Sequence, residues 1–144
     1  MNIIRNAKET DIDEIMDIWL NSNIDAHSFV PKEYWVENFN YVKKSILAAE
    51  VYIYTDDYTD DLIGFIGLAD NYIAGLFVKQ AARSKGVGKA LLDYVKGIKS
   101  ELFLDVYDKN RRAIRFYKRE HFKVQEQNVY INTKEKECRL VWNK

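Results

Sequence analysis

The chain has 144 residues, 47% of them hydrophobic and 31% charged, with 22 basic side chains set against 22 acidic ones. That length suits a single domain over 1–144, and the zero net charge excludes capture of nucleic acid or an anionic membrane by overall charge. Cys138 alone excludes an internal disulfide, and His27 and His121 are too far apart for metal-ligand spacing, so no metal is expected.

Asn2 to Arg5 reads as a short strand. Thr10 offers a helix cap, and Ile12, Ile15, Met16, Trp19 and Leu20 follow at helical spacing. Asn21 to Val30 breaks that period and reads as a loop, after which Pro31 opens a second helix to about Ala48. Val51 to Thr55, Leu62 to Leu68 and Tyr72 to Val78 are three strands, parted by the polar runs DDYTDD and Asp70-Asn71. A helix is expected from about Gly86 to Ile98, with Val87, Leu91, Tyr94 and Ile98 on one face. Leu102 to Tyr107 is a strand, Asn110 starts a helix to about Arg119, and Phe122 to Tyr130 with Glu137 to Trp142 form a closing hairpin. Hairpin-linked strands followed by strand–helix–strand units predict an α/β (α+β) fold, a mixed sheet with helices on its faces. No apolar run approaches the roughly 20 residues of a membrane span. The start MNIIRNAKET is polar, which makes the cytoplasm the expected location.

The segment LFVKQAARSKGVGKALL, Leu76 to Leu92, carries the most chemistry. A buried strand ends, a basic turn with Arg83, Gly86 and Gly88 follows, and a helix begins. Glycine lets backbone approach a ligand without a Cβ clash, and a helix start offers unpaired N–H groups and partial positive charge. Together these make a pyrophosphate site, with Arg83, Lys85 and Lys89 adding fixed charge. Taken alone, the hexapeptide fits a merely Gly-rich, basic helix start equally well. The preceding strand and the 3.6-residue period after it point to a ligand. A P-loop is excluded because Ala90 follows Lys89 and the first glycine is absent. A dinucleotide fingerprint is excluded by the element order.

Arg83-Ser84-Lys85-Gly86-Val87-Gly88 resembles the [QR]-x-x-G-x-[GA] signature of the GNAT superfamily. DKNRRAIRFYKREHF, Asp108 to Phe122, resembles that family's second signature, an Asn before a helix bearing A-x-x-F-Y. The resemblance implies a GNAT fold, a mostly antiparallel sheet of six to seven strands with about four helices. It further implies acetyl-CoA as co-substrate, transfer of its acetyl group to an amine by direct attack, and a cofactor site built from both segments. Backbone groups of Leu76, Phe77 and Val78 would pair with the pantetheine arm. The turn, Lys89 and Ala90 would hold the pyrophosphate. Asn110, Ala113 and Phe116 would flank the arm, and Tyr117 would protonate the departing sulfur. A backbone N–H near Phe77 or Val78 would hold the oxyanion. One departure is His121-Phe122, where the family has Gly-Phe.

An attacking amine must lose a proton, which at about 1.4 kcal/mol per pKa unit costs roughly 4 to 5 kcal/mol from a lysine-like 10.4 to pH 7. His27, in the loop AHSFVPKEYW, is the sequence's candidate base or acceptor contact, and Phe29, Tyr34 and Tyr72 are candidate acceptor walls. That loop is similar to one in small stand-alone bacterial enzymes of the YjaB type, through His-x-Phe and Glu-Tyr. Asp105 lies on a strand whose alternation aims it at the cleft or at solvent. The expected acceptor is an amine, a small molecule ahead of a peptide. The alternative is a non-catalytic acyl-CoA sensor, and monomer and homodimer both stay open.

Overall fold

The computed structural model describes residues 3–129 and 133–144. Asn2 and Tyr130, expected at strand ends, lie outside them. Strand β1 (Ile4–Asn6) leads through a 3-10 turn (Glu9–Asp11) into α1 (Ile12–Ala26) and α2 (Lys32–Ala48). Strands β2 (Glu50–Thr55), β3 (Leu62–Ala69) and β4 (Tyr72–Val78) follow, then α3 (Val87–Lys96), β5 (Glu101–Tyr107), α4 (Arg111–Arg119), β6 (Lys123–Val129) and β7 (Lys136–Asn143). The seven strands make one sheet in the order β1-β2-β3-β4-β5-β7-β6. Every neighbouring pair is antiparallel except β4 and β5. Four helices and this mixed sheet match the expected fold class.

The period-2 alternation of the strands splits the core in two. On one face Ile66, Leu91, Leu92, Val95, Leu104 and Leu140 pack beneath α3 and α4. On the other, Ile15, Met16, Trp19, Trp35, Ile53 and Phe65 pack beneath α1 and α2. The buried face of α3 is Val87, Leu91, Leu92 and Val95. Ile98, expected to share it, lies beyond the helix and is 49% exposed.

The first helix departs from expectation at both ends. Asp11, not Thr10, stands at its start, where its carboxylate accepts the Lys8 N–H at 2.7 Å and pairs with Arg5. At the far end α1 runs through Asn21 to Ala26. Ser22 and Asn23 are buried there, and the Asn23 amide donates to the Trp19 carbonyl at 2.8 Å. Two buried polar side chains, one of them bonded back to its own helix, interrupt the apolar period without ending the helix.

Two features of the sheet make room for a site. β4 and β5 share one paired position, Tyr72 opposite Phe103. The register of β4 on β3 also slips between Gly67 and Leu68, leaving Ala74 as an extra residue. Such a bulge bends its strand, and beyond it Gly75 to Val78 have no partner on the β5 side.

Candidate active site

The β4 edge is a set of open backbone groups. Lys79 donates its N–H to the Ile63 carbonyl of the β3 side at 2.9 Å. By alternation, Leu76 and Val78 turn their N–H and C=O groups into the gap, and Phe77 turns its own toward β3. The Phe77 N–H therefore faces β3 rather than the gap; of the two expected oxyanion donors Val78 alone faces the gap, and Leu76 joins it there.

The turn after β4 is shaped by two left-handed residues, Ser84 at φ 64° and Gly86 at φ 84°. Gly86 stands at the start of α3, and no side chain caps that helix. A Cβ at Gly86 would meet nothing within 4 Å, so the positive φ is what calls for glycine there. At Gly88 a Cβ would meet Phe116 at 3.6 Å and Val78 at 3.9 Å, both ordinary contacts. Gly86→Ala is therefore expected to lose about 1–2 kcal/mol, roughly 3–8 °C in melting temperature. Gly88→Ala should hold or gain up to about 1 kcal/mol, because alanine is the better helix former. Thermal melts of the two variants without ligand check this pair, and an unaffected Gly86→Ala would contradict it.

The α4 start completes the enclosure. Asn110 caps it, its Oδ1 accepting the Ala113 N–H at 3.2 Å. Its far end closes by a Schellman motif, with the Phe122 N–H on the Tyr117 carbonyl at 2.9 Å and the His121 N–H on Lys118 at 3.1 Å. His121 takes the left-handed position at φ 74° that glycine would fill without strain.

Between these elements lies a cavity of about 660 Å³. Leu76, Phe77, Val78, Arg83, Ser84, Gly86, Gly88, Lys89, Asn110, Ala113, Phe116 and Tyr117 all line it. Of the other expected cofactor residues, Val87 is buried in the core, Lys85 is exposed, and Ala90 is half-buried outside the lining. Arg112, Arg115 and Arg119 line the cavity as well, and the sequence reading missed them. Their i, i+3, i+7 spacing on α4 was the available signal. With Arg83 and Lys89 they set five basic side chains against one lining carboxylate, Glu120. Arg83 is partly occupied, bonding Asp25 at 3.0 Å and the Val78 carbonyl at 3.4 Å.

Tyr117 is buried, its ring edge-on to Phe116 and Phe122 at 5.1 and 5.3 Å. No described residue hydrogen-bonds its hydroxyl, and burial pushes its pKa well above the usual phenol range. Burial thus favours the neutral phenol over the phenolate.

On the α1/α2 side of the sheet, β5 and β7 present Phe103, Asp105, Arg139 and Glu137 by alternation. Asp105 is held by Arg139 in two hydrogen bonds of 2.9 and 3.0 Å and approached by the Tyr72 hydroxyl at 3.5 Å. Glu137 has no hydrogen bond or ion pair to a described residue. Burial, and then the Asp105 charge, push its carboxyl up to about 7. A separate hollow of about 300 Å³ is lined by Phe103, Gln125, Arg139 and Val141, and by none of Tyr72, Asp105 and Glu137.

Of the expected acceptor residues, Tyr72 sits at this face and Phe29 packs edge-on to Tyr107 at 5.4 Å. Tyr34 packs edge-on to Trp35 at 5.0 Å and lines neither hollow. His27 lines the main cavity, 8% exposed, and burial drops its pKa to about 4. Among the described residues no cluster of His, Cys, Asp or Glu could hold a metal ion, and no helix is long and apolar enough to cross a membrane.

The acetyltransferase (GNAT) family pattern matches residues 12–122 of this chain. The chain belongs to the GNAT family. It is thus an acyltransferase of the N-acetyltransferase type. Among GNAT relatives, the peptidyl-lysine N-acetyltransferase YiaC of Escherichia coli (strain K12) is 33% identical over 124 residues, 85% of this chain and 84% of that protein. The solution structure of apo-form YjaB from Escherichia coli matches with a TM-score of 0.86 and 26% identity, covering 99% of this chain and 97% of that one. YjaB of strain K12 also carries the name peptidyl-lysine N-acetyltransferase and is 29% identical over 84% of this chain and 82% of its own length. A Bacillus anthracis (strain Ames) protein solved in complex with acetyl coenzyme A shares the fold at a TM-score of 0.59 and 23% identity, over 67% of this chain and 62% of that one.

Proposed function

We propose that this GNAT enzyme moves the acetyl group of acetyl-CoA onto the side-chain amine of a lysine in a peptide or protein. One observation carries the cofactor half. A single cavity holds an uncapped helix start, five basic side chains and an unpartnered phenol. The N–H groups of α3 and the arginines of α4 suit a pyrophosphate and a further phosphate, and the open β4 groups suit an amide-bearing arm. One finding favours a peptide over a small molecule: YiaC and YjaB are named for peptidyl-lysine.

Each residue then has a task. Glu137, without an ion pair to any described residue and with its carboxyl pushed up to about 7, takes the ammonium proton directly or through water. Asp105 is less suited, because Arg139 occupies both its oxygens. The amine nitrogen bonds to the thioester carbon while Val78 or Leu76 N–H steadies the oxygen. The carbon–sulfur bond breaks as Tyr117 gives its proton to the thiolate, and solvent restores the phenol. Single-domain organisation fits this scheme, since all parts lie within one sheet.

The test is release of free thiol from acetyl-CoA with lysine peptides, free amino acids and polyamines, read beside mass spectrometry of the acceptor. Lysine peptides should exceed the small amines at least about tenfold in kcat/KM. The reverse order would replace the peptide with a small acceptor. Cofactor binding without thiol release would instead mark an acyl-CoA sensor.

A further inference from the structure

We infer that His27 is a positioning residue that locks the Asn110 side chain so that one of its N–H groups faces the cavity. The argument starts at α4. Asn110 Oδ1 is committed to the Ala113 N–H, which fixes which end of the amide faces the helix. The amide nitrogen therefore points outward, and it lies 3.1 Å from His27 Nε2. A side-chain amide nitrogen carries no acceptor lone pair, so Nε2 must accept. The ring is then neutral with its proton on Nδ1. That tautomer accords with its surroundings, since Phe29, Trp35 and Tyr107 wall the ring at 5.6, 5.5 and 4.9 Å.

The arrangement has a cost that packing alone does not explain. His27 Nδ1 is buried with no ordinary hydrogen-bond partner. The Asn23 carbonyl near it already accepts the His27 backbone N–H at 3.0 Å. A buried unsatisfied N–H is unfavourable, and a phenylalanine among these rings would avoid it. What phenylalanine could not do is accept from Asn110. Of the two Asn110 amide hydrogens, one is spent on His27 and the other remains for whatever enters the cavity that both residues line. On the proposed function that acceptor is an amide carbonyl of the pantetheine arm. His27 ends α1 and Asn110 begins α4, so the contact also ties the acceptor-side helix to the helix that carries Tyr117. His27 is accordingly not the base, because its lone pair is engaged.

The test compares His27→Phe, which keeps an aromatic ring and removes the acceptor, with His27→Gln, which restores an acceptor oxygen near the Nε2 position. His27→Phe should raise KM for acetyl-CoA about tenfold with kcat changed less than threefold, and His27→Gln should return KM to within about threefold of the parent. In an Asn110→Ala background, His27→Phe should add nothing. A purely structural role predicts the opposite ranking, with Phe tolerated and Gln impaired, and that result would overturn the inference. A kcat lost equally in both variants would overturn it too and return His27 to the chemistry. Independently of any cofactor, long-range proton–nitrogen spectra of the ligand-free protein should show His27 as the Nδ1–H tautomer from about pH 5.5 to 8. An Nε2–H or charged ring would refute the bond even if the proposed function holds. The correct tautomer with no acetyl-CoA binding would leave the bond standing and remove that function.

Discussion

Replacing Tyr117 with Phe is expected to lower kcat by about 100- to 10,000-fold, the span of a lost general acid, while the Kd for acetyl-CoA moves less than threefold. The variant is unusually clean. The ring keeps its edge-on contacts with Phe116 and Phe122, and the hydroxyl has no hydrogen bond in the described structure to forfeit. Melting temperature should therefore be unchanged, so a slower rate reports chemistry rather than folding. Burial holds the phenol's pKa high, so no fall in activity from its ionisation is expected up to about pH 10. Thiol release under saturating acetyl-CoA, with calorimetry for binding, decides the matter. A variant turning over at the parental rate would take Tyr117 out of the reaction.

Glu137→Gln is the second large expected effect, a drop of about 100- to 1,000-fold in kcat/KM for the amine at pH 8. A carboxyl works as a base only when ionised. With its pKa raised to about 7, parental activity should climb with pH through 7 and level off above it. The variant should lose that limb. The groups facing this carboxyl are Asp105, which favours its protonated form, and Arg139, which opposes that. Stability should respond with the opposite sign. A folded pKa above the unfolded value means the folded state holds the proton more tightly. Ionisation therefore erodes stability as pH rises from about 4.5 through 7. Glu137→Gln should accordingly melt higher than the parent at pH 8.5 and equal to it at pH 4. A pH–rate limb surviving in the variant would point to another base, with Asp105 next in line.

The parts of this molecule legible in sequence are those whose chemistry is local. Gly86 is required by its own φ, Asn110 caps the helix that follows it, and Ala113, Phe116 and Tyr117 share a face through helical period alone. These are short-range rules that survive any tertiary setting. The acceptor side obeyed none of them. Asp105 faces one side of the sheet because of the β5–β7 register, and Glu137 reaches it from 32 positions further along the chain. The change in face along β4 depends on the Ala74 bulge, which no residue type announces. His27 read as a candidate base because histidine titrates near neutrality in water. Its aromatic enclosure and its bond to Asn110 link positions 83 residues apart. The extension of α1 past Leu20 was hidden because Ser22 and Asn23 look like loop residues until their burial is known.

The lone shared rung between β4 and β5 has a mechanical meaning. A continuous sheet resists shear along its whole length, whereas this one is two ribbons fastened at Tyr72 and Phe103. On the proposed reading, the extended arm of the cofactor would lie along the unfastened edge like an inserted stave. Loading the enzyme and fastening its two ribbons along that edge would then be one event.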